Sequence, residues 1–366
     1  SVIPVAVAKA AIKSGVARKK IDNFDVYTDQ LKQRLDPSVT IIQGINSQIK
    51  KTQKRVVFVD GEDENTLKAA IAFKNSRLGI PILVAKEKVV KERLKEIGYS
   101  ENFNIEIVNS TIKEKREKYS KYIFKKLHRD QGMLERDCDR MVRNDRVIWG
   151  ACMVATGDAD AMVTGVTRPF GRCFNDITKV ISSKNNQSFL SMSMMVSKER
   201  TVFIGDVNIH DTPNAEQLAN IAIGIASTVK DLGYKPRVAL LSFSNFGNLS
   251  RPSSKDLKEA VNILDKKKVD FEFDGEMTPE VALDYELIKD NYPFCRLSGP
   301  ANVLIMPSLL AANISFKLLQ KLGGGSILGP LMIGGAKPFQ IVQMGSSVSD
   351  IVNSASISAF NALFSK

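Results

Sequence analysis

From Arg55 onward the chain alternates short apolar runs with amphipathic helical stretches, and this rhythm constrains the fold more than any other feature of its 366 residues. VVFVD (56–60), IPILVAK (80–86) and FNIEIVNS (103–110) read as strands, each a short apolar run bounded by turn formers. Between them, TLKAAIAFKNSRLG (66–79) and KEKVVKERLKEIG (86–98) have helical apolar spacing and end at Gly79 and Gly98. Strand, helix and strand at this spacing require crossover connections, so the strands run parallel with helices on the sheet faces.

The pattern continues with two helical stretches over 112–156, a strand at 159–165, a helix around 171–182 and strands at 189–197 and 201–207. A long helix at 215–233, a strand at 237–244 and a helix from about 253 to 267 follow. A strand at 301–308, a helix at 309–322, a Gly-rich turn at 323–325 and a final helix at 348–365 complete it. These elements predict an α/β fold of two lobes with a cleft between them, built on mainly parallel doubly wound sheets. Ligands are expected at the strand C-terminal ends and in the cleft. Residues 3–18 and 21–35 read as short helical stretches outside this scheme.

A hydrophobic share of 43% is enough for a large core, and the charged residues, 25% of the chain, are scattered. The net charge of +12 raises nucleic acid as a partner, but the basic clusters Lys50–Arg55, Lys113–Lys126 and Lys266–Lys268 lack interleaved aromatic residues for base stacking. Solvated surface is the expected role of these clusters. The four cysteines, Cys138, Cys152, Cys173 and Cys295, form no C-x-x-C pair, and the two histidines, His128 and His210, stand in unrelated contexts, so no metal site is expected. With no apolar run of membrane-spanning length, the expectation is a cytoplasmic protein with neither membrane nor nucleic-acid partners.

Several strand ends carry polar groups. After VVFVD come Gly61, Glu62, Asp63 and Glu64, acids that cap a helix and exclude the glycine-rich dinucleotide fingerprint, which needs that helix end free for pyrophosphate. Asp158 and Asp160 in GDADAMVTG read as turn and hydrogen-bonding groups. LLSFSNFG (240–247) ends a strand in Ser242, Ser244 and Asn245, where a ligand would meet hydroxyls and an amide; no serine has a recognisable base partner. Asn313 and Lys317 lie four apart on one helical face, where the lysine would meet a phosphate or face solvent.

Taken in order, VVFVDGEDENTLKAA, GDADAMVTG, DTPNAEQLANIA, LLSFSNFG, DGEM, GPANVLIMPSLLAANISFKLLQKL and GPLMIGGAKP resemble the phosphate acetyltransferase (phosphotransacetylase) family over residues 55–366. The resemblance implies that family's two-lobed architecture, related to the isocitrate and isopropylmalate dehydrogenases. It places a first lobe at 48–188 plus 331–366 and a second at 189–330. The opening segment VIPVAVAKAAIKSGVARKKIDNFDVYTDQLKQRL resembles the last helices of the catalytic region of bacterial NADP-dependent malic enzymes, so residues 1–47 are expected to be a helical tail of that region. NADP and a divalent metal would then belong to a malic enzyme domain upstream.

In the phosphotransacetylase family, the resemblance implies, an aspartate assists the CoA thiol, and a Ser-Arg pair a few residues after the AKP motif stabilises the anionic phosphate. Here GGAKPFQIVQMGSSVSDIVN puts Gln343 and Met344 in place of that pair, while Asp350 matches the aspartate. Asp350 also fits a capping box with Ser347. Asn175 stands where another family arginine is expected, with Arg168 and Arg172 nearby as substitutes, and Arg129 in LHRDQG matches a further one. The family likeness therefore implies an acetyl-CoA or CoA pocket lined by Arg129, Thr167, Arg168, Ser242, Ser244, Asn313, Lys317, Lys337, Gln343 and Asp350. Self-association and a regulatory role for an upstream malic enzyme domain are expected, with acetyl transfer lost; the alternative is an active phosphate acetyltransferase.

Overall fold

The structure, a computed structural model, describes residues 2–17, 21, 24, 27, 38–99, 104–184, 187–197, 200–248, 252–322 and 326–364. Most of the second N-terminal stretch at 21–35 and the Gly-rich turn at 323–325 lie outside the described residues. Among the described residues, the helices α1 (Val2–Lys13) and α2 (Ser38–Ile49) precede the first sheet.

The first lobe is built from β1 (Arg55–Phe58), α3 (Glu64–Asn75), β2 (Ile80–Val84), α4 (Glu87–Glu96) and β3 (Glu106–Val108). Then come α5 (Lys113–Leu127), α6 (Glu135–Asn144), α7 (Arg146–Ala155), β4 (Ala161–Thr164) and α8 (Phe170–Val180). Where the sequence pattern suggests two helices over 112–156 there are three. Asp145 turns out of the helical region and caps α7, its carboxylate accepting from Val147 N at 2.8 Å and Ile148 N at 3.3 Å.

The second lobe contains β5 (Leu190–Val196), β6 (Thr201–Gly205), α9 (Ala215–Asp231), β7 (Arg237–Leu241), α10 (Pro252–Lys267) and β8 (Glu272–Met277). It continues through α11 (Pro279–Leu283), α12 (Tyr285–Asn291), β9 (Val303–Ile305), α13 (Leu309–Leu322) and β10 (Ser326–Ile333). The chain then returns to the first lobe as β11 (Phe339–Ile341) and α14 (Val348–Asn361).

The first sheet is parallel throughout, in the order β11-β4-β1-β2-β3. Its strands are buried on both faces: Val56 and Phe58 pack with the core under α3 and α14, and Val57 and Val59 with the core under α5 to α8. The second sheet runs β10-β5-β6-β9-β7-β8; β6, β9, β7 and β8 are parallel, and β5 and β10 add an antiparallel edge. The Cβ-free Gly205 lets Ile305 and Ile221 close in over β6; a Cβ there would meet Ile305 Cδ1 at 2.8 Å.

Two segments join the lobes, and they pair with each other: Lys184 N donates to Gly334 O at 2.7 Å and Ala336 N to Ser182 O at 2.9 Å. The second sheet extends to Ile333, and α2 runs across residue 47 with Ile42, Ile45 and Ile49 in the main core. The spacing of these isoleucines explains why the helix belongs to the packed body rather than to a free tail.

Candidate functional site

In an open α/β sheet, ligands gather where neighbouring parallel strands send their helices to opposite faces. The first lobe has such a point between β1 and β4: α3 leaves β1 toward one core and α8 leaves β4 toward the other. The second has one between β6 and β9, where α9 packs on one face and α13 on the other. An aspartate stands just beyond the strand at each point.

At the first, Asp60 is 1% exposed and gathers a set of donors. Its Oδ2 accepts from Thr164 Oγ1 at 3.2 Å, Gly165 N at 3.0 Å and Val166 N at 3.3 Å. Its Oδ1 accepts from Thr167 Oγ1 at 2.5 Å and lies 3.3 Å from Arg146 Nη2, which also donates to Thr167 Oγ1 at 2.5 Å. Gly165 is needed because φ is +115° and a Cβ would meet Val342 O at 2.3 Å. Beside this hub an open groove of about 410 Å³ is lined by Glu62, Asp63, Glu64, Arg93, Arg146 and Thr167. Two of the three acids belong to the helix as the sequence predicts, and Glu62 instead accepts from Lys86 N at 3.1 Å: Asp63 accepts from Thr66 N at 2.9 Å, and Glu64, whose carboxyl is held below its ordinary range by hydrogen bonding and charge from Lys68, pairs with that lysine at 2.5 Å.

The neighbouring cations differ in how far they are committed. Arg168 Nη1 donates to Asp145 Oδ2 at 2.6 Å, and Arg172, largely exposed, reaches Asp176 only at 4.0 Å. Gln343 and Met344 follow β11 on the same edge and are exposed, Met344 to 60%. Asp350 forms a capping box: it accepts from Ser347 N at 3.2 Å and Ser347 Oγ at 2.7 Å, while its own amide donates to Ser347 Oγ at 3.2 Å. Asn175 is exposed on α8 and Arg129 is exposed beyond α5. Lys337 precedes β11 at the N-terminal edge of the sheet, roughly 20 Å along the strand from Gln343 at about 3.3 Å per residue, and so does not join the cluster at the other end.

In the second lobe, Ser244 is buried and donates to Glu276 Oε1 at 3.0 Å. Glu276 is fully buried, also accepts from Gly247 N at 3.2 Å and has Lys258 Nζ 3.8 Å away. Asn245 Oδ1 accepts from Thr278 N at 2.7 Å, which ties the β7 and β8 ends together, and Ser242 is half-buried on the same edge. Asn313 donates to Val207 O at 3.2 Å and so holds the loop after β6, whereas Lys317 is exposed one turn along α13.

That loop carries a pair the sequence reading missed. Asp206, 4% exposed, accepts from Ser191 N at 3.2 Å and Ser191 Oγ at 3.1 Å through Oδ1, and from His210 N at 2.9 Å through Oδ2. His210 Nδ1 bonds the same Oδ2. The two residues are four apart in GDVNIH, but in a loop, where no helical periodicity marks them as partners. Asp158 and Asp160 are structural: burial works against the charged Asp158, yet hydrogen bonds from Lys118 at 2.8 Å and Tyr119 at 2.6 Å hold its carboxyl below the ordinary range, and Asp160 accepts from Arg55 N at 2.7 Å. Among the described residues no group of three or more His, Cys, Asp or Glu is placed to hold a metal, and no helix is long and apolar enough to cross a membrane.

Two α/β lobes meeting at paired crossovers, each with polar groups at a switch point, define a class that comparison makes definite: residues 40–359 match the phosphate acetyl/butaryl transferase family, and the chain belongs to it. A phosphotransacetylase structure from Streptococcus pyogenes superposes with a TM-score of 0.81 at 27% identity, covering 89% of this chain and 99% of that one. Within the family the chain is similar to an NADP-dependent malic enzyme of Rhizobium meliloti, 43% identical over 99% of this chain and 47% of the relative. It is also similar to a phosphate acetyltransferase of Clostridium acetobutylicum, 29% identical over 88% of this chain and 98% of the relative. The chain spans about half the length of the malic enzymes it matches. It is a malic enzyme-related, phosphotransacetylase-like module.

Proposed function

We propose that this module binds acetyl-CoA in its cleft, regulates and assembles an NADP-dependent malic enzyme that oxidatively decarboxylates malate to pyruvate, and does not itself transfer acetyl groups. The observation that carries the loss of transfer is the first-lobe edge. Gln343 and Met344 stand where the family resemblance calls for Ser-Arg, and of the nearby arginines Arg168 and Arg146 are engaged by Asp145 and Asp60, while Arg172 lies exposed 4.0 Å from Asp176. Phosphoryl and tetrahedral oxyanions need donors free to meet them, and losing one such donor typically costs about two to three orders of magnitude in rate. Asp350 is engaged in capping α14.

Binding of a CoA-type ligand is supported by the retained two-lobed architecture and by uncharged polar groups at the open edge of the second lobe, Ser242 after β7 and Asn313 on α13 among them. CoA would lay its flexible, uncharged pantetheine arm across such groups. Self-association is supported by α13, where Leu310, Ile314, Leu318 and Leu322 recur every fourth residue and are 50–81% exposed; a second copy of this chain is the proposed occupant of that face. Calorimetric titration of acetyl-CoA, with an acetyl phosphate assay on the same sample, tests the reading. Binding without turnover is expected, turnover would make the module an active acetyltransferase, and absence of binding would leave assembly alone. In the intact malic enzyme, activity independent of acetyl-CoA concentration would refute the regulatory role.

A further inference from the structure

We propose that His210 is a ligand-contacting residue of the second lobe, its Nε2 accepting a hydrogen bond from an N–H or S–H donor on the pantetheine end of a CoA-type ligand. The inference rests on the reading of the cleft as a CoA site and deepens it.

The ring is fixed at one nitrogen only. The Asp206 carboxylate is saturated, with Ser191 N and Oγ on Oδ1 and the His210 amide and ring on Oδ2. A carboxylate only accepts, so Nδ1 holds a proton, and in its uncharged form the imidazole presents a lone pair at Nε2. Among the described residues Nε2 has no partner. It is also absent from the buried, unpaired side-chain atoms, so it reaches solvent although the side chain is only 14% exposed. Ser191 bonds the other carboxylate oxygen, so among the described residues Nε2 is left open to a ligand.

Position and charge narrow that partner. The loop sits at the β6/β9 switch point, Asn313 pins it through Val207 O, and Ile209 packs on the first-lobe cluster that also receives Phe170, Phe174 and Phe189. His210 thus stands where the two lobes face each other. On its own loop the titratable groups beside it are Asp206 at the strand end and Asp211, and among the described residues neither pairs with a lysine or arginine. The negative charge beside the ring disfavours a phosphate at this spot, whereas a neutral N–H or S–H donor meets no such repulsion. The pantetheine arm supplies amide N–H groups and a terminal S–H.

The test measures the affinities of CoA, acetyl-CoA and adenosine 3′,5′-bisphosphate for the wild type, His210→Phe and His210→Gln. His210→Phe is expected to weaken CoA by about three- to tenfold, the value of one hydrogen bond, while the bisphosphate, which lacks the arm, binds unchanged. His210→Gln keeps an acceptor and should fall between. Loss for CoA alone assigns the thiol as donor, and loss for acetyl-CoA as well assigns an amide. Because the chain has two histidines, imidazole nitrogen NMR resolves the Nδ1–H tautomer directly, and Asp206→Asn should shift it toward Nε2–H. CoA affinity unchanged in His210→Phe, or CoA and bisphosphate weakened equally, would overturn the inference and leave the CoA reading standing. Failure of wild type to bind CoA would overturn both.

Discussion

Replacing Asp60 with alanine removes the acceptor on which the first-lobe switch point is built. The variant leaves the Gly165 and Val166 amides, both in buried residues, without the carboxylate they donate to, and strips Arg146 of its counter-charge. Each stranded amide costs about 1–3 kcal/mol, and an unpaired, mostly buried guanidinium adds to that. After partial relaxation the loss should be about 4 kcal/mol. Arg146→Ala should cost less, about 2 kcal/mol, because four donors remain on Asp60 to hold its charge. The chain's one tryptophan, Trp149, is fully buried three residues after Arg146 in α7, so its fluorescence follows this lobe in a urea titration. The midpoint should fall with an unchanged slope, further for Asp60→Ala than for Arg146→Ala. The reverse order, or a loss below about 1 kcal/mol for Asp60→Ala, would refute the account of Asp60 as the organising acceptor.

Other outcomes follow from single contacts. Burial works against the Glu272 charge, but Lys235 and the Ser298 amide and hydroxyl hold its carboxyl down at about 2 from an ordinary 4.5. A depressed carboxyl contributes stability above pH 4.5 that is lost as the pH falls toward 2. Glu272→Gln should therefore cost about 1 kcal/mol of stability at neutral pH after solvent screening, read as a lower melting temperature, and the gap should close across that window. Ser347→Ala should cost about 1 kcal/mol by removing the α14 cap, and Asp350→Asn should leave CoA affinity in calorimetry unchanged. Leu318→Asp should shift the mass measured by light scattering toward a single chain; an unchanged mass would remove α13 from the assembly.

The legible part of the fold was the part written in periodicity. β1, β2, α9 and α13 have uninterrupted apolar runs or helical spacing, so sequence and structure agree on them within a few residues. The strands that went unseen lack such runs. β8 is FDGEM flanked by glutamate and proline-containing turns, β10 contains Gly329-Pro330, and β11 is three residues long; each is stabilised by neighbours already in place rather than by its own pattern. The site divides in the same way. Gln343, Met344 and Asp350 could be located because they sit beside a recognisable string. Asp60 reads as the polar end of a strand, and its partner Arg146 lies 86 residues away, at a separation that leaves no periodic trace. Asp206 and His210 are linked by loop geometry alone.

The return of the chain to its first sheet as β11 also sets an order of synthesis. β4 has β1 on one side and β11 on the other, and all of the second lobe is made between β4 and β11. On the ribosome the Ala161–Thr164 edge therefore waits open while about 170 residues emerge, and the Gly165 turn has no Val342 to close against until then. The second lobe can complete its sheet before the first one does. A nascent chain halted before Phe339 would present an unpaired strand edge of three apolar residues and Thr164, a form open to chaperones and to its own aggregation.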